Sequence, residues 1–144
     1  MNKTVRDILR SKGPEVFSID AEATVFEALE MMADKNIGAL LVTRNGQCAG
    51  MFSERDYARR VILRGLSSPK TKIAEVMTDT ICFARPDQTV EECMALITEK
   101  RCRHLPVFDG DSLVGMVSIG DLVKASIAEK EFMINQLENY IRHG

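Results

Sequence analysis

The sequence predicts an α+β fold built from two copies of one strand–helix–strand–strand–helix unit, followed by an extra C-terminal helix. Two observations lead to this prediction. A shift of 65 positions aligns residues 24–56 with residues 89–121 without a gap, and ten of the 33 aligned pairs are identical, where roughly two are expected by chance. At the end of each segment, the heptapeptides GMFSERD and GMVSIGD share Gly, Met, Ser and Asp at the same spacing. The chain therefore contains an internal duplication.

The first copy begins with a lead-in helical turn in KTVRDIL, followed by a short apolar strand, VFSI. A helix follows in ATVFEALEMMADKN, where Val25, Ala28, Leu29 and Met32 recur at the helical period. GALLVT and CAGMF are apolar strands separated by RNGQ, whose Asn-Gly pair predicts a hairpin turn. The segment SERDYARRVILRG then starts with a helix-capping serine and ends at Gly65, as a helix does.

The second copy repeats the same order of elements. TKIAEVM is its lead-in turn, and ICFA is its first strand. Thr89 caps the next helix, which carries Val90, Cys93, Met94 and Ile97 on one face. RHLPVF, the turn DGDS and LVGMV form the hairpin, after which SIGDLVKASIA begins a helix. Three extra residues separate the lead-in turn from the strand in the first copy.

These assignments divide the chain into a first repeat at residues 1–65, a linker at 66–72, a second repeat at 73–127 and a C-terminal helix at 128–144. The linker, LSSPKTK, is polar and contains Pro69. The apolar core of one repeat alone is too small for a stable fold, so we expect the two repeats to pack together.

The C-terminal helix carries an apolar stripe that the repeat does not require. Met133, Ile134, Leu137, Tyr140 and Ile141 follow the helical spacing in EKEFMINQLENYIRHG. Such a stripe needs a partner surface. Two alternatives stay open: the helix packs back onto its own domain, or it forms the contact of a homodimer.

Composition and charge exclude several classes of protein. With 45% hydrophobic and 28% charged residues, the chain is typical of a globular protein. No apolar run approaches the ~18 residues needed to cross a bilayer, and charges interrupt the first nine residues, unlike a signal peptide. We therefore expect a cytoplasmic protein without a membrane segment. The net charge of −2 does not favour nucleic acid as a partner, because phosphate binding usually needs a basic surplus.

The four cysteines show no metal-site or thioredoxin-like spacing. Cys48, Cys82, Cys93 and Cys102 form no CxxC pair and no ligand-like spacing with histidine. Each lies among apolar neighbours, which predicts four ordinary buried thiols. We therefore expect no metal site and no catalytic cofactor.

The repeated Ser-x-x-Asp has two physical interpretations. Ser118 at a helix start with Asp121 three residues later fits a capping box, and this alone explains both residues. Alternatively, Gly115 leaves room for a group near the backbone, the helix N-terminus suits phosphate, and the Asp121 carboxylate accepts hydrogen bonds from sugar hydroxyls. Arg103 and His104, at the entrance of the neighbouring strand, would supply the basic partner of the phosphate.

The tandem unit resembles a pair of CBS domains. The resemblance rests on the motif G-h-x-S-x-x-D (h, hydrophobic), present in register in both copies, and on RHLPV at residues 103–107; it covers residues from about 5 to 125. It implies a disc-like module of two repeats related by a pseudo-twofold axis, with up to two clefts between them. It also implies a non-catalytic regulatory protein whose ligands are AMP, ADP, ATP, S-adenosylmethionine or NAD(H), and whose regulated partner the sequence does not identify.

The resemblance also assigns ligand-binding roles. Asp121 and Asp56 would hold the ribose, and Ser118 and Ser53 would lie near the phosphate. The remaining implied site residues, on the strands and at the helix start, are Arg103, His104, Pro106, Thr80 and Ile81 in the second copy, and Ser18, Gly38, Ala39 and Arg55 in the first.

The two copies differ where the phosphate would bind. Gly38 and Ala39 stand where the second copy has the basic pair, whereas Arg55 stands at the first copy's helix start, where the second has Gly120. We therefore expect two non-equivalent sites. A dinucleotide with two phosphates, such as NAD, is one ligand that could occupy them. SERDYAR is similar to stand-alone bacterial CBS pairs, a second reason to include NAD.

Three other functions remain as alternatives. A protein or RNA interaction module would act through the arginine-rich helix from Arg55 to Arg64 and the C-terminal helix, although such an arginine run is also typical of a solvated face. An enzyme would have to use His104, Cys102 or Asp121, yet no recognisable catalytic motif is present. A redox switch would use Cys102, because Arg101 and Arg103 beside it favour the reactive thiolate.

Overall fold

The structure, a computed structural model, describes residues 3–143; residues 1, 2 and 144, at the ends of the predicted first repeat and C-terminal helix, lie outside the described residues. The chain divides into two compact units. The central unit is residues 16–81, and the split unit combines the described residues up to 15 with those from 82 onward. Each unit thus contains the lead-in helix of one repeat and the sheet of the other.

The central unit contains the three-stranded sheet of the first copy. Strand β1 pairs in parallel with β2, and β2 pairs with β3 in an antiparallel hairpin. Its elements are β1 (Ser18–Asp20), α2 (Val25–Lys35), β2 (Ala39–Arg44), β3 (Gln47–Ser53), α3 (Glu54–Asp56), which continues as a π-helix (Tyr57–Ile62), a 3₁₀ turn (Ser68–Lys70) and α4 (Ile73–Val76).

The hairpin turn of the central unit confirms the prediction from the Asn-Gly pair. Asn45 and Gly46 have φ values of 55° and 76°, the left-handed conformation that a two-residue type I′ turn requires. The apolar face of α2 packs under the sheet in a core that includes Leu40 and Phe52, and Ile73 and Val76 of α4 join the same core.

The split unit contains the second copy. It starts with the lead-in helix of the first repeat, whose Val5 and Ile8 pack in one core with Leu105 and Val117 of the second hairpin. Its elements are α1 (Val5–Lys12), α5 (Val90–Lys100), β4 (His104–Asp109), β5 (Ser112–Ser118) and α6 (Ile119–His143). Thr89 caps α5 in a capping box with Glu92, as predicted.

The strand predicted at ICFA is wrong, because only one residue of it pairs. Ala84 forms a single parallel bridge with Val107. In the first copy, the Leu41 amide donates to the Phe17 carbonyl (3.1 Å) and the Ala21 amide donates to the Thr43 carbonyl (2.8 Å). The residues aligned with those two donors are Pro106 and Pro86, which have no N–H. The ladder therefore loses both of its ends, and one bridge remains.

The prediction of four buried thiols is wrong for two of the cysteines. Cys82 and Cys102 are joined by a disulfide, although 20 positions separate them. Both precede paired segments of the same unit: Cys82 comes just before the bridge at Ala84, and Cys102 just before β4. Cys93 is a buried thiol as predicted, and Cys48 is a half-buried one.

The last helix of the second copy and the predicted C-terminal helix form one continuous helix, α6, of 25 residues. Its first part is anchored in the split-unit core through Leu122 and Ala125. The apolar stripe of its second part, from Phe132 to Ile141, is exposed. Within the described chain, this stripe does not pack back onto its own domain.

Candidate functional site

Both copies present a carboxylate in a capping box at the start of the helix that follows the hairpin. In the second copy, the Ser118 amide donates to Asp121 Oδ2 (2.8 Å), and the Asp121 amide donates to Ser118 Oγ (3.1 Å). In the first copy, the Ser53 amide donates to Asp56 Oδ2 (3.0 Å), and the Asp56 amide donates to Ser53 Oγ (3.1 Å). The capping-box interpretation is therefore confirmed in both repeats.

Both carboxylates are partly buried. The exposed fraction of the side chain is 25% for Asp121 and 14% for Asp56. Each carboxylate also receives a donor from the lead-in region of the other repeat, and these extra contacts distinguish the two sites.

In the split unit, the extra donor of Asp121 is Lys12, the last residue of α1. Lys12 Nζ lies 2.6 Å from Asp121 Oδ2 and also donates to the carbonyl of Met116 (2.8 Å). Burial alone raises the pKa of Asp121, but the hydrogen bonds from Lys12 and Ser118 outweigh it, so the pKa lies below its usual value. This contact therefore stabilises the folded chain above about pH 4 and is lost as the pH falls through the lowered pKa.

In the central unit, Asp56 is bound more fully. Thr78 Oγ donates to Asp56 Oδ1 (2.9 Å), and Arg60 Nε lies 3.9 Å from the same oxygen. Arg60 also donates to the carbonyl of Met77 (2.8 Å). One arginine of the Arg55–Arg64 run is therefore used inside the fold, which weakens the interpretation of that run as a nucleic-acid surface.

The two carboxylates differ in what they offer to a ligand. Both oxygens of Asp56 accept hydrogen bonds from the protein. In Asp121 the hydrogen bonds from Lys12 Nζ and from the Ser118 amide both go to Oδ2, and neither of these two donors uses Oδ1. A carboxylate oxygen can accept two hydrogen bonds, so Asp121 Oδ1 is the better acceptor for a hydroxyl group.

The basic pair predicted for the second copy lies beside its capping box. His104 is the first residue of β4 and stands opposite Ser118 in the hairpin ladder, and Pro106 stands opposite Met116. Arg103 is exposed, and its carbonyl accepts a hydrogen bond from the amide of Ile119 (2.9 Å), at the start of α6. The structure thus brings Arg103, His104 and Ser118 to the same end of the hairpin.

The first copy has the same backbone arrangement without the basic side chains. Ala39 stands opposite Ser53, and the carbonyl of Gly38 accepts a hydrogen bond from the amide of Glu54 (3.0 Å). A Cβ atom on Gly38 would lie 2.9 Å from the Glu54 carboxylate. This strand entrance therefore holds an acidic group where the second copy has a basic pair.

The other predicted site residues lie at the surface or near it. Ser18 is the exposed first residue of β1, and Arg55 is exposed at the start of α3. Thr80 is exposed and Ile81 half-buried, and they are the last residues of the central unit.

The motif glycines make room for the protein itself. A Cβ atom on Gly50 would lie 2.5 Å from the Thr78 carbonyl oxygen, and one on Gly115 would lie 2.6 Å from a methyl group of Leu9. The interpretation of Gly115 as space for a ligand is wrong, because a lead-in segment fills that space in each unit.

Sequence reasoning missed the three side chains that contact the carboxylates: Lys12, Thr78 and Arg60. Lys12 lies between Leu9 and the first strand, where the first copy has three extra residues, and this difference in length was the one available signal. Thr78 and Arg60 carry no signal of their own, since their role depends on where α4 and the π-helix pack.

Two further observations concern metal ions and membranes. Within residues 3–143, no group of three or more His, Cys, Asp and Glu side chains is arranged to hold a metal ion. No helix in the described part of the chain is both long and apolar enough to span a bilayer, including α6.

Comparisons with known proteins identify the family of the two repeats. The family model of the CBS domain matches residues 4–63 and again residues 73–128. A mitochondrial CBS domain-containing protein of Arabidopsis thaliana, CBSX3, is 36% identical over 150 residues, which cover 98% of this chain and 73% of the relative. The CBS domain-containing protein YhcV of Bacillus subtilis is 30% identical and covers 87% of this chain and 81% of its own length.

Solved structures give the same result. A protein with CBS domains from Burkholderia ambifaria, described as a candidate in signal transduction, is 46% identical with a TM-score of 0.84, and the match covers 88% of this chain and 95% of that one. A hexameric CBS-CP12 protein from bloom-forming cyanobacteria is 26% identical with a TM-score of 0.77, over 85% of this chain and 71% of that one.

Proposed function

Because the chain belongs to the CBS-domain family and carries one CBS domain in each repeat, we propose that it is a non-catalytic regulatory module whose ligand is an adenine nucleotide. The ligand class comprises AMP, ADP, ATP and NAD(H). Related CBS proteins are commonly regulatory or signal-transduction modules, which supports a sensing role rather than turnover. Binding would change how this protein meets a regulated partner, through different affinities of the ligand for its states.

The observation that carries the proposal is that Lys12 and the Ser118 amide both donate to Oδ2 of Asp121 and leave Oδ1 to other donors. A ribose hydroxyl can donate to Oδ1 while Lys12 and the Ser118 amide stay on Oδ2. Because the carboxylate is held by the capping box and by Lys12, it pays little ordering cost on binding. A hydrogen bond to a charged acceptor contributes about 1.5–3 kcal/mol, so the ribose gains most at this position.

The charges around Ser118 support a phosphate group on the ligand. Arg103 presents an exposed guanidinium at the strand entrance beside Ser118, and a guanidinium binds phosphate oxygens in pairs. The first copy has no basic residue at either of the aligned positions, Gly38 and Ala39, and its Asp56 is already bound by Thr78. We therefore assign the principal site to the second copy and a weaker site, assisted by Arg55, to the first.

The proposal is tested by isothermal titration of the purified protein with AMP, ADP, ATP, NAD⁺, NADH and adenosine. Asp121→Asn keeps a cap acceptor for the Ser118 amide but loses the charge, and it should weaken binding by about tenfold to a hundredfold, as expected for a charge-assisted hydrogen bond. Asp56→Asn is the matched control in the other copy and should change the affinity less than about threefold. Thermal unfolding of both variants checks that the caps still form.

A wild-type protein that ignores every adenosine ligand at millimolar concentration would rule the proposal out. Equal losses in the two variants would rule out the assignment of the principal site to the second copy. Conversion of a bound nucleotide over hours, followed by chromatography, would contradict the non-catalytic role.

We propose further that the protein self-associates through α6. Ile127, Ile134 and Ile141 recur every seven residues, and Leu137 lies between the last two, a spacing typical of helices that pack along a common seam. The large apolar side chains of this part of α6 each expose more than half of their surface: Ile127, Phe132, Met133, Ile134, Leu137, Tyr140 and Ile141. A second copy of the same helix matches this stripe, and the cyanobacterial CBS-CP12 protein, which has a similar fold, is hexameric.

A further inference from the structure

We propose that Cys82 and Cys102 form a reversible thiol–disulfide site that controls how firmly the start of the second copy is held. The pair is joined within the split unit, and its Cα atoms are 6.5 Å apart, a separation that a disulfide spans. Both residues are half-buried rather than enclosed in the core. Its effect on ligand binding rests on the proposed function; its effect on the chain does not.

The disulfide is a main tether of the segment that enters the second copy. Between the bridge at Thr78 and the bridge at Ala84, no backbone hydrogen bond to another described residue holds the chain. One missing hydrogen bond is explained by Pro106. In the first copy, the amide of the aligned residue Leu41 donates to the Phe17 carbonyl, and proline has no N–H to make this bond. Phe83 makes an edge-to-face contact with Phe108 at a centroid distance of 6.1 Å. One residue earlier, the disulfide of Cys82 attaches the segment to Cys102.

The aligned positions in the first copy show what the link replaces. Cys82 aligns with Phe17 and Cys102 aligns with Ile37. Both of these side chains are partly buried and pack against the core of the central unit. Cys82 and Cys102 also pack against the core of their own unit, so the difference lies in the ladder. The first copy has backbone pairing at this place, whereas the second copy has a covalent bond that a reductant can break.

The tether borders the residues that the proposed function needs. Thr80 and Ile81, which the family resemblance assigns to the base pocket, directly precede Cys82. Arg103 and His104 directly follow Cys102, and His104 begins β4 opposite Ser118. Breaking the link therefore releases the chain on the side of Thr80 and Ile81, whereas Arg103 stays hydrogen-bonded to Ile119 and His104 stays in the ladder. The ligand must then order the segment that the disulfide had held.

The exchange chemistry is balanced with a small-molecule disulfide such as glutathione disulfide. Cys102, between Arg101 and Arg103, attacks one sulfur of that disulfide as a thiolate and expels one glutathione thiolate. Cys82 then attacks Cys102 Sγ in the mixed disulfide and expels the second glutathione. The protein loses two electrons and two protons, and one glutathione disulfide becomes two glutathiones. A dithiol reverses both steps.

The first measurement is the thiol state. After incubation with glutathione disulfide, alkylation and peptide mass spectrometry should find Cys82 and Cys102 linked, with Cys48 alkylated. Cys93 is the internal control for an inert thiol, because burial raises its pKa to about 11. After treatment with a dithiol, Cys82 and Cys102 should both be alkylated. Four free thiols after the oxidising treatment would overturn the proposal.

The second measurement needs no nucleotide. Hydrogen exchange of residues 79–83 should become at least about tenfold faster after reduction, while exchange in α2 stays the same. The double variant C82S/C102S should behave as the reduced protein does under both conditions, and Cys48→Ser should behave as wild type. Equal exchange of residues 79–83 in the oxidised and reduced protein would overturn the tether.

The third measurement separates this inference from the proposed function. Reduction, or the double variant, should weaken AMP binding by about tenfold, with Cys48→Ser unchanged. If AMP binds equally in both redox states, the coupling to the site is wrong. If no adenine nucleotide binds in either state while the exchange of residues 79–83 still responds to reduction, the proposed function fails and the thiol site stands.

Discussion

Two glycines show how single residues set the distance between a hairpin and the lead-in segment beside it. Gly50 and Gly115 occupy the same position in the two repeats, and neither has a positive φ, so backbone conformation does not require glycine there. The neighbour of Gly50 is a backbone carbonyl, that of Thr78, whereas the neighbour of Gly115 is the end of the Leu9 side chain. A backbone atom cannot move aside as a side-chain methyl group can.

Gly50→Ala should therefore destabilise the protein more than Gly115→Ala. A new Cβ atom at residue 50 must push the Thr78 segment away, at about 2–3 kcal/mol, whereas Leu9 can change rotamer at about 1 kcal/mol. The free energy of unfolding from urea titration measures both. Ala49→Gly, on the same strand, is a control for handling and expression. Equal losses in the two variants would contradict the distinction between backbone and side chain.

The residue scale also shows what sequence can predict about a site. For the pairs Ser53–Asp56 and Ser118–Asp121, a capping box is one of the two interpretations that the sequence supports, because a local spacing of three residues determines that contact. Lys12 is 109 positions from Asp121, and no local pattern reports a contact at such a separation. The carboxylates were therefore predictable, and their extra partners were not.

At the scale of elements, α6 is the largest departure from the predicted order. The sequence suggested a repeat helix followed by a separate C-terminal helix, but no Gly or Pro stands between them, and the structure has one helix from Ile119 to His143. The opposite departure occurs at Ile81–Ala84, where prolines on both sides of the ladder prevent a strand. Apolar content alone predicted both segments. In α6, the absence of Gly and Pro lets the helix continue, and at residues 81–84 the missing N–H groups of the prolines prevent a strand.

The exposed stripe of α6 predicts the effect of a charge placed on it. Leu137→Glu should shift the protein from a self-associated form to a monomer, because a buried unpaired carboxylate at the seam costs several kcal/mol. Gln136→Glu places the same charge one residue away, outside the recurring isoleucine positions, and should leave the mass unchanged. Light scattering after size-exclusion chromatography gives the mass of each variant. A wild-type monomer at tens of micromolar would refute the seam.

At the scale of the whole molecule, the two repeats exchange their lead-in helices. Val5 of the first repeat is fully buried in the core of the split unit, and Ile73 of the second repeat is fully buried in the core of the central unit. The sequence predicted the duplication and the lead-in turns, but it did not predict that the lead-in helices are exchanged. Both repeats offer equivalent apolar faces, and the pattern alone does not say which sheet each lead-in helix covers.

The exchange predicts where a core substitution acts. Val5→Ala should cost about 2 kcal/mol and accelerate hydrogen exchange mainly in residues 90–118, although it lies in the first repeat. Ile73→Ala, its matched counterpart, should cost about 3 kcal/mol and act mainly on residues 25–53. Peptide-resolved exchange by mass spectrometry reads both effects. A Val5→Ala variant that loosens residues 25–53 instead would contradict the assignment of α1 to the split unit.

The continuous helix α6 connects the capping box rigidly to the exposed stripe at its distal end. Its third residue is Asp121, held at the capping box, and its distal end carries Ile141, about 30 Å away at the rise of an α-helix. A tilt of only ~5° at the anchored end displaces the distal end by about 3 Å, since a rigid rod magnifies rotation in proportion to its length. In the proposed function, a small adjustment around the sugar at Asp121 would be transmitted along the helix to the surface proposed for self-association.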